Sequence, residues 1–185
     1  MSLSSKTLVI TLVLSLTLAY SLFERKKFEG MLSAGDSEPI LKMMPDFSLD
    51  EFKTKEPLTK AFFNGANATF VHFWGTWCAP CEAEFPEFIK FAAKFEKENV
   101  KFLLLAVNDD DKKIKKFLKR FGKLPSNIVV AHDKSGASMG LFGTVRVPET
   151  YLFDSNFINL KKFAGPQAWE MKSFFPRVKR LIFGH

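Results

Sequence analysis

Cysteine is scarce in this chain. It has two, Cys78 and Cys81, three positions apart in 185 residues. A disulfide framework needs several well-separated pairs, so none is available. A four-thiolate zinc site is excluded as well, because there is no second pair. Histidine is almost as rare, with three. The chain has no internal repeat and no low-complexity tract. Its formal charge of +7 is not gathered into a long polybasic tail and is accompanied by no nucleic-acid motif, so no nucleic-acid partner is expected.

Apolar residues are plentiful. They make up 46% of the chain, and phenylalanine alone contributes 22. That is enough for one domain with a sizeable core, plus a short N-terminal extension. The densest basic run, Lys112 to Lys123, reads as the solvated face of a helix. Its alternative is a docking face for an anionic membrane or an acidic partner.

Residues Thr7 to Phe23 carry no charge. They are long for a signal-peptide core and slightly short for a membrane span. Ala19-Tyr20-Ser21 offers a cleavage site. Residues 1–27 are therefore expected to be a signal anchor or a cleaved signal peptide, with the anchor favoured. Residues 28–43, with Gly, Ser and Pro, read as a linker. Arg25, Lys26 and Lys27 outnumber Lys6 and the free amine, which on its own would keep the following domain cytoplasmic.

From residue 44 to 185 the pattern is that of one domain. Met44 to Leu49 reads as an opening strand or hairpin edge. Ala68 to Trp74 and Phe102 to Val107 are short apolar runs typical of buried strands. Between them, Phe85, Phe88, Ile89, Ala92 and Phe95 have helical spacing over Cys78 to Glu98, with Pro86 expected to kink the helix. Asp109 to Phe121 is a second helix, and Asn127 to Ala131 a short strand. Ser135 to Phe142 gives one or two helical turns. Glu149–Phe153 and Phe157–Phe163 form a hairpin. A last helix is expected from Pro166, bent at Pro176. The fold class is α/β, a mixed central sheet flanked by helices.

The chemistry concentrates where the first buried strand meets Cys78-Ala79-Pro80-Cys81 at the start of a helix. Free N–H groups and the positive dipole end there stabilise a thiolate and draw its pKa down from about 8.5. Thiolate is the species that attacks a disulfide sulfur. Cys78, at the helix start, is expected to be the exposed nucleophile. Cys81, a turn further in, is expected to be buried and to resolve the mixed disulfide. Two intervening residues allow the pair to close as a disulfide. Pro80 removes an N–H that has no intrahelical partner.

Phe73-Trp74-Gly75-Thr76-Trp77-Cys78-Ala79-Pro80-Cys81 resembles the active-site stretch of the thioredoxin superfamily. Glu84-Phe85-Pro86, the opening Pro45-Asp46-Phe47-Ser48-Leu49, and Val147-Pro148-Glu149-Thr150-Tyr151-Leu152-Phe153-Asp154 are similar to the TlpA-like branch. That branch includes the ResA and DsbE (CcmG) groups of membrane-tethered, extracytoplasmic thiol–disulfide proteins. The resemblance spans residues 44 to 184. It implies a thioredoxin fold, a cis Val147–Pro148 bond, and a Val147 backbone that pairs with an extended substrate beside the cysteines. It also implies a functional Glu84 exchanging a proton with Cys81, and an acidic contact at Glu149. Trp77 is expected to shield the active cysteine and touch substrate. His72 departs from the pattern, standing where ordinary thioredoxins carry a buried Asp. It is either a proton relay, adding positive charge when protonated, or a core histidine bonded to backbone.

The expected function is reduction of disulfides in exported proteins, apocytochrome c being the substrate the resemblance suggests. No cofactor and no metal are expected. The partners are a disulfide-bearing exported protein, a membrane electron-donor thiol protein, and the membrane itself through the N-terminal segment. The domain is expected to face the periplasm or cell exterior. The alternative is a copper-binding module using both thiolates and a histidine such as His132, although a cis proline beside the pair would hinder it. A thiol peroxidase would need Thr where Gly75 stands.

Overall fold

The computed structural model describes residues 3–33 and 41–184. It divides into two units, 1–39 and 40–185, described separately below.

The first unit contains one helix, α1 (Leu3–Ser33). It therefore runs into the stretch read as a linker. The rest of that stretch up to residue 40 lies outside the described residues. Apolar side chains including Ile10, Val13, Leu16, Tyr20 and Phe23 all stand exposed. Among the described residues no helix is long and apolar enough to cross a membrane.

The second unit follows the order β1 (Ser48–Glu51), β2 (Pro57–Thr59), β3 (Ala68–Trp74), α2 (Ala79–Ala93), β4 (Val100–Val107), α3 (Asp111–Leu118), β5 (Ile128–Asp133), α4 (Ala137–Phe142), β6 (Glu149–Asp154), β7 (Asn159–Ala164) and α5 (Phe174–Phe183). The seven strands form one mixed sheet in the order β2-β1-β5-β4-β3-β6-β7. The central strands β3, β4 and β5 are parallel, joined by crossovers through α2 and α3. β6 returns antiparallel against β3 and pairs with β7 as the expected hairpin.

Side chains alternate across the central strands. Phe70 and Trp74 of β3, with Phe102 and Leu104 of β4, enter a core under α2, α3 and α5. Val71, Phe73, Leu103 and Leu105 enter the other core with Phe47, Phe63 and Phe142. The alternation puts His72 on the α2 side. In α3 the apolar residues Ile114, Phe117 and Leu118 turn inward while Lys112, Lys113, Lys115 and Lys116 are exposed. The basic run is thus a solvated face.

Two helix expectations need correction. The last helix begins at Phe174 rather than at Pro166. In the intervening irregular segment the Gln167 backbone N–H and the Trp169 indole N–H donate to a buried carboxylate, which holds the chain out of a helix. Pro176 then falls in the first turn of α5, where a proline needs no N–H and is no cause for a bend.

Candidate active site

β3 leads directly into the site. Gly75, Thr76 and Trp77 follow its last residue, and Cys78 is the N-cap of α2. The Cys78 backbone is extended, and its Sγ accepts a hydrogen bond from the Cys81 N–H at 3.2 Å. The two sulfurs are joined as a disulfide, with Cα atoms 5.2 Å apart. When it opens, the N–H groups of the first turn stabilise a thiolate on Cys78. Cys81 is fully buried, while Cys78 is only 5% exposed. The expected exposed nucleophile is therefore largely covered, because the capping geometry turns its sulfur onto the helix's own N–H groups.

The loop before Cys78 is clamped from the β4–α3 connection. Thr76 donates its backbone N–H to Asp109 Oδ2 at 2.5 Å and its hydroxyl to Oδ1 at 2.8 Å. The Trp77 indole N–H donates to the Val107 carbonyl at 3.1 Å. The indole lies over Gly75, so a Cβ at residue 75 would stand 2.5 Å from its nitrogen. Glycine is required there by Trp77, and the threonine of a peroxidase pattern does not fit. Trp77 itself remains 55% exposed beside the disulfide.

Glu84 lies one turn beyond Cys81 and is buried. Its Oε2 accepts from the Gln167 N–H at 2.8 Å and the Trp169 indole N–H at 2.9 Å. Its Oε1 has no hydrogen-bond partner and faces His72 Nε2 at 3.8 Å. Burial pushes the Glu84 pKa up despite those two donors, and the nearby charge of Glu87 adds to the rise. Glu84 is thus a shielded acid rather than a solvated one.

His72 is fully buried, stacked on Phe88 at 4.3 Å, with Nδ1 2.8 Å from Thr150 Oγ1. Burial pushes its pKa down to about 3. The imidazole is therefore neutral at neutral pH and supplies no positive charge to the thiolate. Nor is it held by backbone: its partner is a hydroxyl.

The Val147–Pro148 bond is cis. Strand pairing begins at Glu149, opposite Phe73, so Val147 lies beyond the paired register at the sheet end that carries Gly75 to Cys78. Glu149 is not a surface residue. It is 2% exposed and forms an ion pair with Lys162 Nζ at 2.9 Å. Lys162 also donates to the Gly143 carbonyl at 3.2 Å. The expected substrate contact at Glu149 thus meets a carboxylate already engaged inside the domain.

Asp109, Thr150, Lys162, Gln167 and Trp169 were not anticipated as site residues. Their partners lie far away in sequence, and no local pattern marks them. Among the described residues no group of three or more His, Cys, Asp or Glu is placed to hold a metal ion. His132, the third ligand of the copper reading, has Nδ1 on Asp111 Oδ1 at 2.5 Å and Nε2 on the Asp109 carbonyl at 3.0 Å. Both of its nitrogens are engaged elsewhere.

Residues 40–160 match the AhpC/TSA family. The chain is 30% identical over 148 residues to the thiol-disulfide oxidoreductase ResA of Geobacillus thermodenitrificans, covering 80% of this chain and 79% of that one. The chain belongs to the AhpC/TSA family, among the ResA-like thiol–disulfide oxidoreductases. The ResA of Bacillus cereus (strain ATCC 10987) is 29% identical over 163 residues, 88% of each chain. The fold is shared with a thiol:disulfide interchange protein of the thioredoxin family from Chlorobium tepidum TLS (TM-score 0.61, 22% identity, 80% of this chain and 99% of that one). It is shared also with a secreted Mycobacterium tuberculosis disulfide oxidoreductase (TM-score 0.59, 19% identity, 75% and 96%). This ResA-like protein is a thiol–disulfide oxidoreductase of thioredoxin fold, and Cys78–Cys81 is its cysteine pair.

Proposed function

We propose that the protein reduces disulfides in exported partner proteins, with apocytochrome c as the substrate class. The observation that carries the reading is a disulfide at the N-terminus of α2 with a shielded acid, Glu84, one turn behind its inner sulfur. In the dithiol state the Cys78 thiolate attacks a partner sulfur. A Cys78–partner bond forms, the partner disulfide breaks, and the released partner thiolate takes a proton from water. Cys81 then gives its thiol proton to the Glu84 carboxylate and attacks Cys78 Sγ. The internal disulfide closes and the second partner thiolate leaves. Two electrons pass to the partner, and the acid is left protonated, in keeping with its raised pKa. Val147 would align the extended substrate, and Trp77 would cover the mixed disulfide. A membrane thiol protein would return the electrons.

Residues 7–23 support export of the domain. From Ile10 to Phe23 the apolar side chains are exposed all round the helix, a pattern that needs an apolar surrounding. At 1.5 Å per residue the uncharged stretch spans about 25 Å against a hydrocarbon core of about 30 Å. The stretch falls short of a full span, as no helix among the described residues is long and apolar enough to cross a membrane, and it fits a short export signal or a signal anchor with its flanking charges at the interface.

The test is the reduction potential of Cys78–Cys81 in defined thiol buffers, followed by reduction of an oxidised Cys-x-x-Cys-His peptide. A value near about −270 mV with turnover of the peptide supports a reductant. A value near about −120 mV makes the protein an oxidant and overturns the direction.

A further inference from the structure

Two buried polar atoms, His72 Nε2 and Glu84 Oε1, stand unpartnered 3.8 Å apart. Their side chains are 0% and 4% exposed, so no bulk water relieves them. Such a pair is costly unless one atom carries a proton that the other accepts. Across the ring, Nδ1 stands 2.8 Å from Thr150 Oγ1. A hydroxyl can donate or accept at that position. The imidazole can therefore hold its single proton on either nitrogen. With Nδ1–H donating to Thr150, Nε2 is an acceptor. With the Thr150 hydroxyl donating to Nδ1, Nε2–H is a donor.

We propose that His72 and Thr150 form a neutral tautomeric partner for Glu84. Nε2 accepts from the protonated acid when Cys78–Cys81 is closed, and donates to the carboxylate when the pair is reduced. The inference rests on the reading of Glu84 as the group that takes the Cys81 proton. The proton inventory balances. The reduced site holds one proton on the ring and one on Thr150. The oxidised site holds those two and the one released by Cys81, now on Glu84. The ring stays uncharged throughout, as its burial demands.

The surroundings leave Glu84 as the ring's titratable partner. From α2, Glu84 faces Nε2, Phe88 stacks on the ring, and Glu87 acts on Glu84. The register partners of His72 are Leu104 on β4 and Thr150 on β6, both uncharged. Trp169 approaches with its edge at 6.5 Å. In the reduced state the Cys81 thiol, one turn before Glu84, is the remaining titratable group. His72 is thus a positioning residue, acting through Glu84 rather than touching sulfur.

The experiment uses the full chain labelled with 15N at histidine, fully oxidised and fully reduced, together with the pH dependence of the reduction rate. The expected spectrum shows the His72 proton on Nδ1 in the disulfide form and on Nε2 in the dithiol form. The same tautomer in both forms, or an imidazolium signal at neutral pH, overturns the proposal. Two variants should move the Glu84-linked inflection in opposite directions. His72→Phe removes the donor to the carboxylate and raises the inflection by about one unit, a tenfold change in proton affinity. Thr150→Val removes both the acceptor and the donor at Nδ1; an orphaned buried N–H is costlier than a bare ring nitrogen, so the proton stays on Nε2 and the inflection falls. His72→Gln, which offers either a donor or an acceptor, restores it towards wild type. A merely structural role gives no such opposition of sign. Glu84→Gln separates the two layers. If it leaves the pH profile unchanged, the reading of Glu84 fails. If it abolishes the inflection while His72→Phe and Thr150→Val leave theirs in place, the tautomeric role alone fails.

Discussion

Asp109 grips Thr76 twice, by its backbone N–H at 2.5 Å and by its hydroxyl at 2.8 Å. This fixes the loop that delivers Cys78 to the start of α2, using a residue 33 positions further along the chain. Hydrogen bonds to a charged acceptor contribute about 1.5–3 kcal/mol. Asp109→Ala should therefore lower stability by about 2 kcal/mol in urea unfolding of the oxidised protein. It should also slow disulfide exchange by about tenfold, because Cys78 loses its fixed approach. Wild-type exchange in a variant that is destabilised would show that the clamp serves folding alone.

The two cysteines have unequal access, the residues being 5% exposed for Cys78 and 0% for Cys81. Attack on a partner therefore belongs to Cys78. Cys81→Ser should capture an oxidised partner peptide as a stable mixed disulfide, visible by mass spectrometry without reductant. Cys78→Ser should capture at least about tenfold less, since Cys81 is out of reach. Equal capture by both variants would reverse the assignment.

Much of the architecture was readable from residue order. β3 and β4 announce themselves as short apolar runs bounded by turns, and α2 by the spacing of Phe85, Phe88 and Ala92 behind the cysteines. These are local patterns with one solution. The start of α5 was not readable, because what keeps residues 166–173 irregular is a distant carboxylate, Glu84. Of the opening hairpin only the first edge was readable, and its partner β2 was missed for a related reason. β2 has three residues, too few for any periodicity. Within the site, His72 and Glu84 drew notice by type and position and Pro148 through the family resemblance, whereas Thr150, Trp169 and Gln167, which bond His72 and Glu84, did not. The near-complete cover over Cys78 follows from a side-chain direction that spacing does not encode.

Lys162 and Glu149 are a further pairing that sequence order hides, 2.9 Å apart with the carboxylate 2% exposed. Removing one partner of a buried pair leaves an uncompensated charge. Lys162→Met should cost about 2 kcal/mol, less than for a fully buried pair because Lys162 is partly solvated. The double variant Glu149→Gln, Lys162→Met should recover most of that loss. Urea midpoints for Lys162→Met, Glu149→Gln and the double variant test the coupling, and additive losses would mean the pair contributes nothing jointly.

His72 and Glu84 should also leave a signature in the pH dependence of stability. The folded pKa of His72 is about 3, against 6.5 for an ordinary histidine. Between those values the unfolded chain binds the extra proton. Its contribution is fully present above pH 6.5 and is lost as pH falls towards 3. The slope for one group is at most about 1.4 kcal/mol per pH unit. Glu84 has the opposite sign. Its folded pKa lies above 4.5, so the native state binds the extra proton from there up to the raised value, and stability falls as pH rises across that window. Where the windows overlap, the two slopes oppose. Glu84→Gln removes one of them, so from about pH 4.5 upward, where the windows overlap, stability should rise more steeply with pH than in wild type. His72→Phe removes the other and should turn the slope downward. Asp133, where hydrogen bonds from Ser138 and Ser135 outweigh the effect of burial, titrates below its ordinary value and so outside this range. Urea midpoints measured every half unit decide the matter. Parallel curves for wild type and both variants would mean that neither group changes its proton affinity on folding.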